Sequence, residues 1–206
     1  MRQFKQIPIQ SIVRFVLVGI FCGCSSPTFE PSKSRSAEEN IFFNLLVTGL
    51  VTYQSTSVFD SYAEKNLDWS RFLGTWNEIQ RIDNSFQSGL REVSAEYSLS
   101  NDGSIRVLNR GVDPTGNRNQ IEGKALLIHP DVGKLKVSFF YPFFFGDYLV
   151  LKIDRIDYST ALIGGPDPNF LWVFSKTNSI PTEVESDYIE YAKTIGYSTD
   201  RLQSFR

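Results

Sequence analysis

Few side chains in this sequence can do covalent or proton-transfer chemistry, and their placement limits what that chemistry can be. The single histidine, His129, stands beside Pro130 at a turn, where no Ser-His-Asp arrangement forms around it. Both cysteines, Cys22 and Cys24, lie near the N-terminus, so the remainder of the chain holds no thiol. One histidine without a cysteine excludes the usual zinc geometries. Glu78 shares a strand face with Trp76 and reads as a partly buried carboxylate, an environment that can tune its proton affinity. A structural ion pair or hydrogen bond is the commoner use of such a group. A net charge of −2 leaves no electrostatic footprint for nucleic acid. Together these residues point to binding rather than turnover, with no catalytic residue, cofactor or metal.

The element that positions Glu78 is Leu73-Gly74-Thr75-Trp76-Asn77-Glu78-Ile79, read as the first strand of a small barrel behind a short helix over 69–73. Gly74 has no Cβ, so the backbone can turn tightly from helix to strand. Trp76 supplies one large flat side chain for the barrel floor, and Lys176, ending the last strand, can cover its indole face. Val93–Leu99 alternates apolar with polar, Asn101-Asp102-Gly103 is a hairpin turn, and Ile105–Arg110 is the partner strand. Further strands are expected at 120–128, 134–141, 146–154, 159–164 and 169–176. Eight strands with short turns predict an all-β fold, a closed antiparallel up-and-down barrel without exposed edges. Thr182-Glu183-Val184-Glu185 predicts a helix start capped by Thr182, and Gly196 a stop. Val184, Tyr188, Tyr191, Ala192 and Ile195 form an apolar stripe, which places this C-terminal α-helix against the outside of the barrel.

Alternation then sorts the strand residues. With Trp76 and Glu78 inward, the lumen receives Ala95, Tyr97, Leu99, Val107, Asn109, Ile121, Gly123, Ala125, Val137, Phe139, Tyr148, Val150, Ala161, Ile163, Phe170, Trp172 and Phe174. The small members of that set leave volume unfilled, which predicts a cavity for an elongated apolar ligand; a packed barrel is the alternative. The expected ligand-binding residues are Glu78, Ala95, Tyr97, Val107, Asn109, Ala125, Val137, Phe139, Tyr148 and Trp172. Arg91 and Lys152 are candidate anion partners near the open end. Phe139–Phe145 holds five phenylalanines in seven residues. In a rim turn it would expose apolar surface, as the seam of a homodimer or, second, for docking to lipid.

The N-terminal third divides differently. Residues 1–23 read as a secretory leader, with Arg2, Lys5 and Arg14 before the apolar stretch Phe15–Phe21, too short for the ~20 residues that cross a bilayer. It meets Cys22-Gly23-Cys24-Ser25-Ser26-Pro27, similar to a bacterial lipoprotein cleavage box. Cys24 is the expected lipidation site, because small Gly23 precedes it whereas bulky Phe21 precedes Cys22. Residues 24–66 form a tether and an N-terminal extension that carries the apolar run Ile41–Val51. Residues 67–206 are the barrel domain.

The segments Arg71–Ile79, Tyr97-Ser98-Leu99, Asp102–Ile105, Val137–Phe143, Ala161–Asp167, Leu171–Lys176 and Gly196–Thr199 together resemble the lipocalin family, in particular its bacterial outer-membrane members related to apolipoprotein D. The resemblance covers about two thirds of the chain, with Gly74, Trp76 and Lys176 as its fold motif. It departs at Asn77, where the family usually has Tyr, and at Lys176, where it usually has Arg, which loses a planar stack. The resemblance implies a membrane-anchored protein of the bacterial outer membrane that holds or carries a fatty acid or lysophospholipid, without chemistry. Two other classes stand beside it. One is an envelope interaction protein with a filled barrel; the other is a lipocalin-like isomerase that would use Glu78.

Overall fold

The computed structural model describes residues 57–205. The leader, Cys24, the tether and the run Ile41–Val51 lie outside the described residues. After a 3-10 turn at Val58–Tyr62 and a short helix α1 (Trp69–Phe72), eight strands follow. These are β1 (Gly74–Ile82), β2 (Arg91–Leu99), β3 (Ile105–Val112), β4 (Arg118–Leu127), β5 (Lys134–Ser138), β6 (Gly146–Ile153), β7 (Thr160–Gly164) and β8 (Leu171–Ser175). Each pairs antiparallel with the next, β1 pairs with both β8 and β2, and the sheet therefore closes into the expected barrel. Helix α2 (Thr182–Thr194) and a two-residue strand β9 (Leu202–Gln203) complete the chain.

Local chemistry explains the element ends. Asp68 caps α1, its carboxylate accepting from the backbone N–H groups of Ser70 and Arg71. Gly74 turns the chain from α1 into β1 at φ +105, a region that L side chains rarely adopt. The cap expected of Thr182 is absent. Thr182 is the first residue of α2 and Pro181 holds the cap position, where no side-chain hydrogen bond forms. Glu185 serves instead as acceptor for Gln80 Nε2 at 2.6 Å, tying α2 to β1. Gly196, also at φ +105, ends the helix as expected.

Two apolar clusters result. The inner one lines the barrel from Phe72 and Trp76 through Ala95, Tyr97, Val107 and Ala125 to Ala161, Ile163 and Phe174. The outer one lies between the wall and α2, where Leu149, Leu151, Leu162, Leu171 and Val173 meet Tyr188, Ala192 and Tyr197. Phe59 and Ala63 join this outer cluster, with the Phe59 ring 4.2 Å from that of Tyr197. Residues 57–66 thus pack on the barrel wall, and Glu64 bonds to Val150 O (2.8 Å) and to Gly133 N (2.7 Å). We expect Phe59→Ala to lower the unfolding free energy by about 3 kcal/mol, read from the shift in urea midpoint.

Candidate functional site

Strand directions give the barrel two different ends. α1 and the loops after β2, β4 and β6 close the floor, whereas residues 83–90, 113–117, 139–145 and 165–170 surround the mouth. At the floor Trp76 is fully buried and stacks on Phe72 at 5.0 Å between ring centroids. Its Nε1 donates to Phe72 O at 2.7 Å. Lys176 lies 5.1 Å from the indole and donates to Arg71 O (2.7 Å) and Leu73 O (3.3 Å). Burial, then the nearby Arg71 charge, lower the proton affinity of Lys176. The ammonium therefore serves the floor in the way the sequence anticipates, although it is not an arginine.

On the mouth side a bulge changes what β1 presents. Glu78 pairs with Phe174, but Arg81 pairs with Trp172, so one extra residue on β1 is passed between them. Strict alternation would turn Arg81 outward; the bulge turns it in. Arg81 is completely buried and binds Glu78 Oε1 at 2.6 Å and Asp83 Oδ1 at 3.1 Å. It also donates to Gln87 O and Leu90 O, both at 2.9 Å. Gln87 Nε2 donates to Glu78 Oε2 at 3.1 Å, and Trp172 Nε1 donates to Gln87 Oε1 at 2.8 Å. The network staples the β1–β2 loop onto the barrel. Burial raises the Glu78 pKa, against the opposing pull of the Arg81 charge. Both Glu78 oxygens are thus engaged by protein partners. Arg81 and Gln87, which organise this end, escape a reading by alternation because a bulge breaks the period.

Between floor and network lies the lumen. Tyr97 donates to the Tyr148 hydroxyl at 2.9 Å, and burial raises the pKa of both phenols, keeping them neutral donors at ordinary pH. Ala95 faces Trp76 on one side and Asn109 on the other. Asn109 Oδ1 is buried without a hydrogen-bond partner among the described residues, a costly state for an amide oxygen. The inward residues nearest the floor, Trp76, Tyr97, Val107 and Ala125, are buried. Val137, Phe139, Tyr148 and Trp172 belong to the same cluster but retain partial exposure. Trp69, Leu73 and Leu127, at the floor, are likewise partly exposed members of the cluster.

Several expectations change here. Leu99 and Ile121 alternate with lumen residues but are 68 % and 46 % exposed, Leu99 as the last residue of β2. The space above Gly123 is not vacant: a Cβ there would stand 2.7 Å from the Phe139 ring and 2.9 Å from Ser138 O. Phe139 therefore occupies the volume that a missing side chain was expected to leave open. Gly123→Ala should cost about 1–3 kcal/mol of stability, measured by chemical denaturation, because backbone as well as ring must move. Lys152 is not at the mouth. It bonds Asp187 of α2 at 2.8 Å on the outer wall. Arg91 is exposed at the mouth end of β2. His129 is exposed at its turn, and among the described residues no group of three His, Cys, Asp or Glu is placed to hold a metal.

Comparison with known proteins agrees with this architecture. The lipocalin-like domain family matches residues 67–206. Outer membrane lipoprotein Blc of Escherichia coli K12 is 44 % identical over 139 residues, covering 66 % of this chain and 77 % of that protein. Its counterpart from Vibrio cholerae is 42 % identical over 139 residues, covering 66 % and 81 %. Among solved structures, insecticyanin from the tobacco hornworm Manduca sexta superposes with a TM-score of 0.57 at 20 % identity, over 70 % of this chain and 82 % of that one. The floor motif, the closed eight-stranded barrel and its outer helix have one common explanation: the chain belongs to the lipocalin family.

Proposed function

We propose that the protein binds one lipid chain in the barrel and carries or stores it at the outer membrane, tethered through an acylated Cys24, without turning it over. The observation that carries this reading is the apolar cluster inside the closed barrel. It runs from Trp76, fully buried at the floor, to Val137, Phe139, Tyr148 and Trp172, which keep partial exposure on the mouth side. Burial of each methylene contributes about 0.8 kcal/mol, so a long acyl chain brings enough to bind near micromolar after entropy costs. The Blc relatives are named outer membrane lipoproteins, which supports the location and the anchor.

The ligand class is a fatty acid or lysophospholipid, and the interior polar groups favour one that carries a hydrogen-bond donor. Asn109 Oδ1 has no donor among the described residues. A lysophospholipid hydroxyl or a protonated carboxyl can satisfy it; a methyl ester cannot. The direct test is titration of the Cys24→Ser chain with a fluorescent fatty acid. Lysophospholipid and fatty acid should displace it at one site, and the matching methyl ester should compete about ten-fold less well. Asn109→Leu should remove that difference while retaining chain binding. Absence of saturable binding by every long-chain lipid, with the barrel folded, would contradict the carrier reading and favour the filled-barrel interaction protein.

A further inference from the structure

The described fold begins at the mouth of the barrel. Ser57 Oγ donates to Pro166 O, in the β7–β8 loop, at 3.0 Å. From there the chain descends the outer wall, through Glu64 at Val150 and Asn66 at Asp131 O (2.7 Å), to the floor and α1. Ser57, the first described residue, is thus attached at the mouth end. The same end exposes phenyl rings: Phe86 is 80 % exposed, Phe140 67 %, Phe143 62 % and Phe144 77 %. Val58, beside the attachment point, is exposed as well. The floor end exposes two large apolar side chains, Leu99 and Ile156, among the described residues.

The phenyl rim is held in place. Phe143 N donates to Phe140 O at 2.8 Å, and Ser138 Oγ accepts from Phe140 N at 3.0 Å while donating to Phe143 O at 2.5 Å. Phe144 adopts φ 55, a conformation that large side chains rarely take and that hydrogen bonding elsewhere in the loop must sustain. A turn that fixes three phenyls outward in water gains nothing for folding. It suits a surface that removes them from water.

We propose that the mouth rim is a bilayer-docking surface, with Phe86, Phe140, Phe143 and Phe144 seated in the lipid interface so that the lumen opens onto the membrane. The inference rests on the anchored-carrier reading above. Cys24 precedes Ser57 by 33 positions, a length that spans at most ~110 Å. An anchor at Cys24 confines the barrel near the bilayer within that length, and the rim sets the orientation. A lipid tail can then pass between bilayer and lumen without crossing bulk water, the step with the largest hydrophobic barrier.

The test uses the full acylated chain in vesicles of phosphatidylethanolamine and phosphatidylglycerol. With Cys22 removed alongside the leader and Cys24 acylated, a thiol introduced as Phe144→Cys or, at the floor end, Asn101→Cys is unique and takes an environment-sensitive fluorophore. The label at 144 should shift to the blue and be quenched by brominated acyl chains, whereas the label at 101 should report water. Co-flotation with both labels in water would overturn the orientation and leave the anchor standing. Failure to co-float would overturn both. Pyrene excimers between labels at 144, without quenching by brominated lipid, would assign the rim to a second copy of this chain and also overturn the proposal. The triple variant Phe140→Ser, Phe143→Ser, Phe144→Ser should slow lipid transfer between vesicles about ten-fold with lumen affinity kept; an unchanged rate would count against it.

Discussion

Replacement of Arg81 by alanine is expected to lower the unfolding free energy by about 3–5 kcal/mol near neutral pH, because it leaves the Glu78 carboxylate buried without its charge partner. Three further attachments, to Asp83, Gln87 O and Leu90 O, go with it and free the β1–β2 loop. The pH dependence of the loss distinguishes this cause from lost packing. Burial raises the Glu78 pKa above its ordinary value of 4.5, and Arg81 opposes the rise. A carboxyl whose folded pKa is raised binds more protons folded than unfolded, so its contribution is fully present below 4.5 and is lost as pH climbs through the raised folded value. Removal of Arg81 moves that folded value higher and widens the window. The gap between variant and wild type should therefore be largest near pH 7 and shrink toward pH 4, where a neutral Glu78 needs no cation. Urea midpoints across that range measure it. The double variant Glu78→Leu, Arg81→Met should recover much of the loss, since an apolar pair has no desolvation cost.

Trp76→Ala is the second large effect, at about 3–5 kcal/mol. The substitution empties the floor beneath the lumen, orphans Phe72 O and removes the face over which the Lys176 ammonium sits. Trp76→Phe keeps most of the buried area and the stack on Phe72 but not the hydrogen bond, and should cost about 1–2 kcal/mol. Equal losses in the two variants would mean that the hydrogen bond, rather than the ring volume, holds the floor together.

The parts of this molecule that follow a period of two were legible in the sequence. β2 and β3 face each other from Ser94–Arg110 to Leu99–Ile105 without interruption, and their inward residues Ala95, Tyr97, Val107 and Asn109 fall where alternation puts them. The helix stripe was equally readable, because Tyr188 and Ala192 repeat at helical spacing and are buried. What alternation cannot see is a change of period. The β1 bulge brings Arg81 inside, and nothing in Glu78-Ile79-Gln80-Arg81 announces it. Volume is similarly opaque, since whether Gly123 faces a void or a ring depends on how Phe139 folds back from the next strand. Lys152 shows the converse limit. Its side chain turned outward to Asp187 because α2, distant in sequence, covers that wall.

The most direct test of a lipid held in the lumen is photocrosslinking with a palmitic acid analogue that carries a diazirine along its chain, followed by peptide mapping. Labelling should concentrate on the inward, partly accessible residues Val137, Phe139, Tyr148 and Trp172 and should be displaced by lysophospholipid. Labelling confined to the outer cluster between α2 and the wall, or to the rim phenyls alone, would place the lipid outside the barrel and contradict the account.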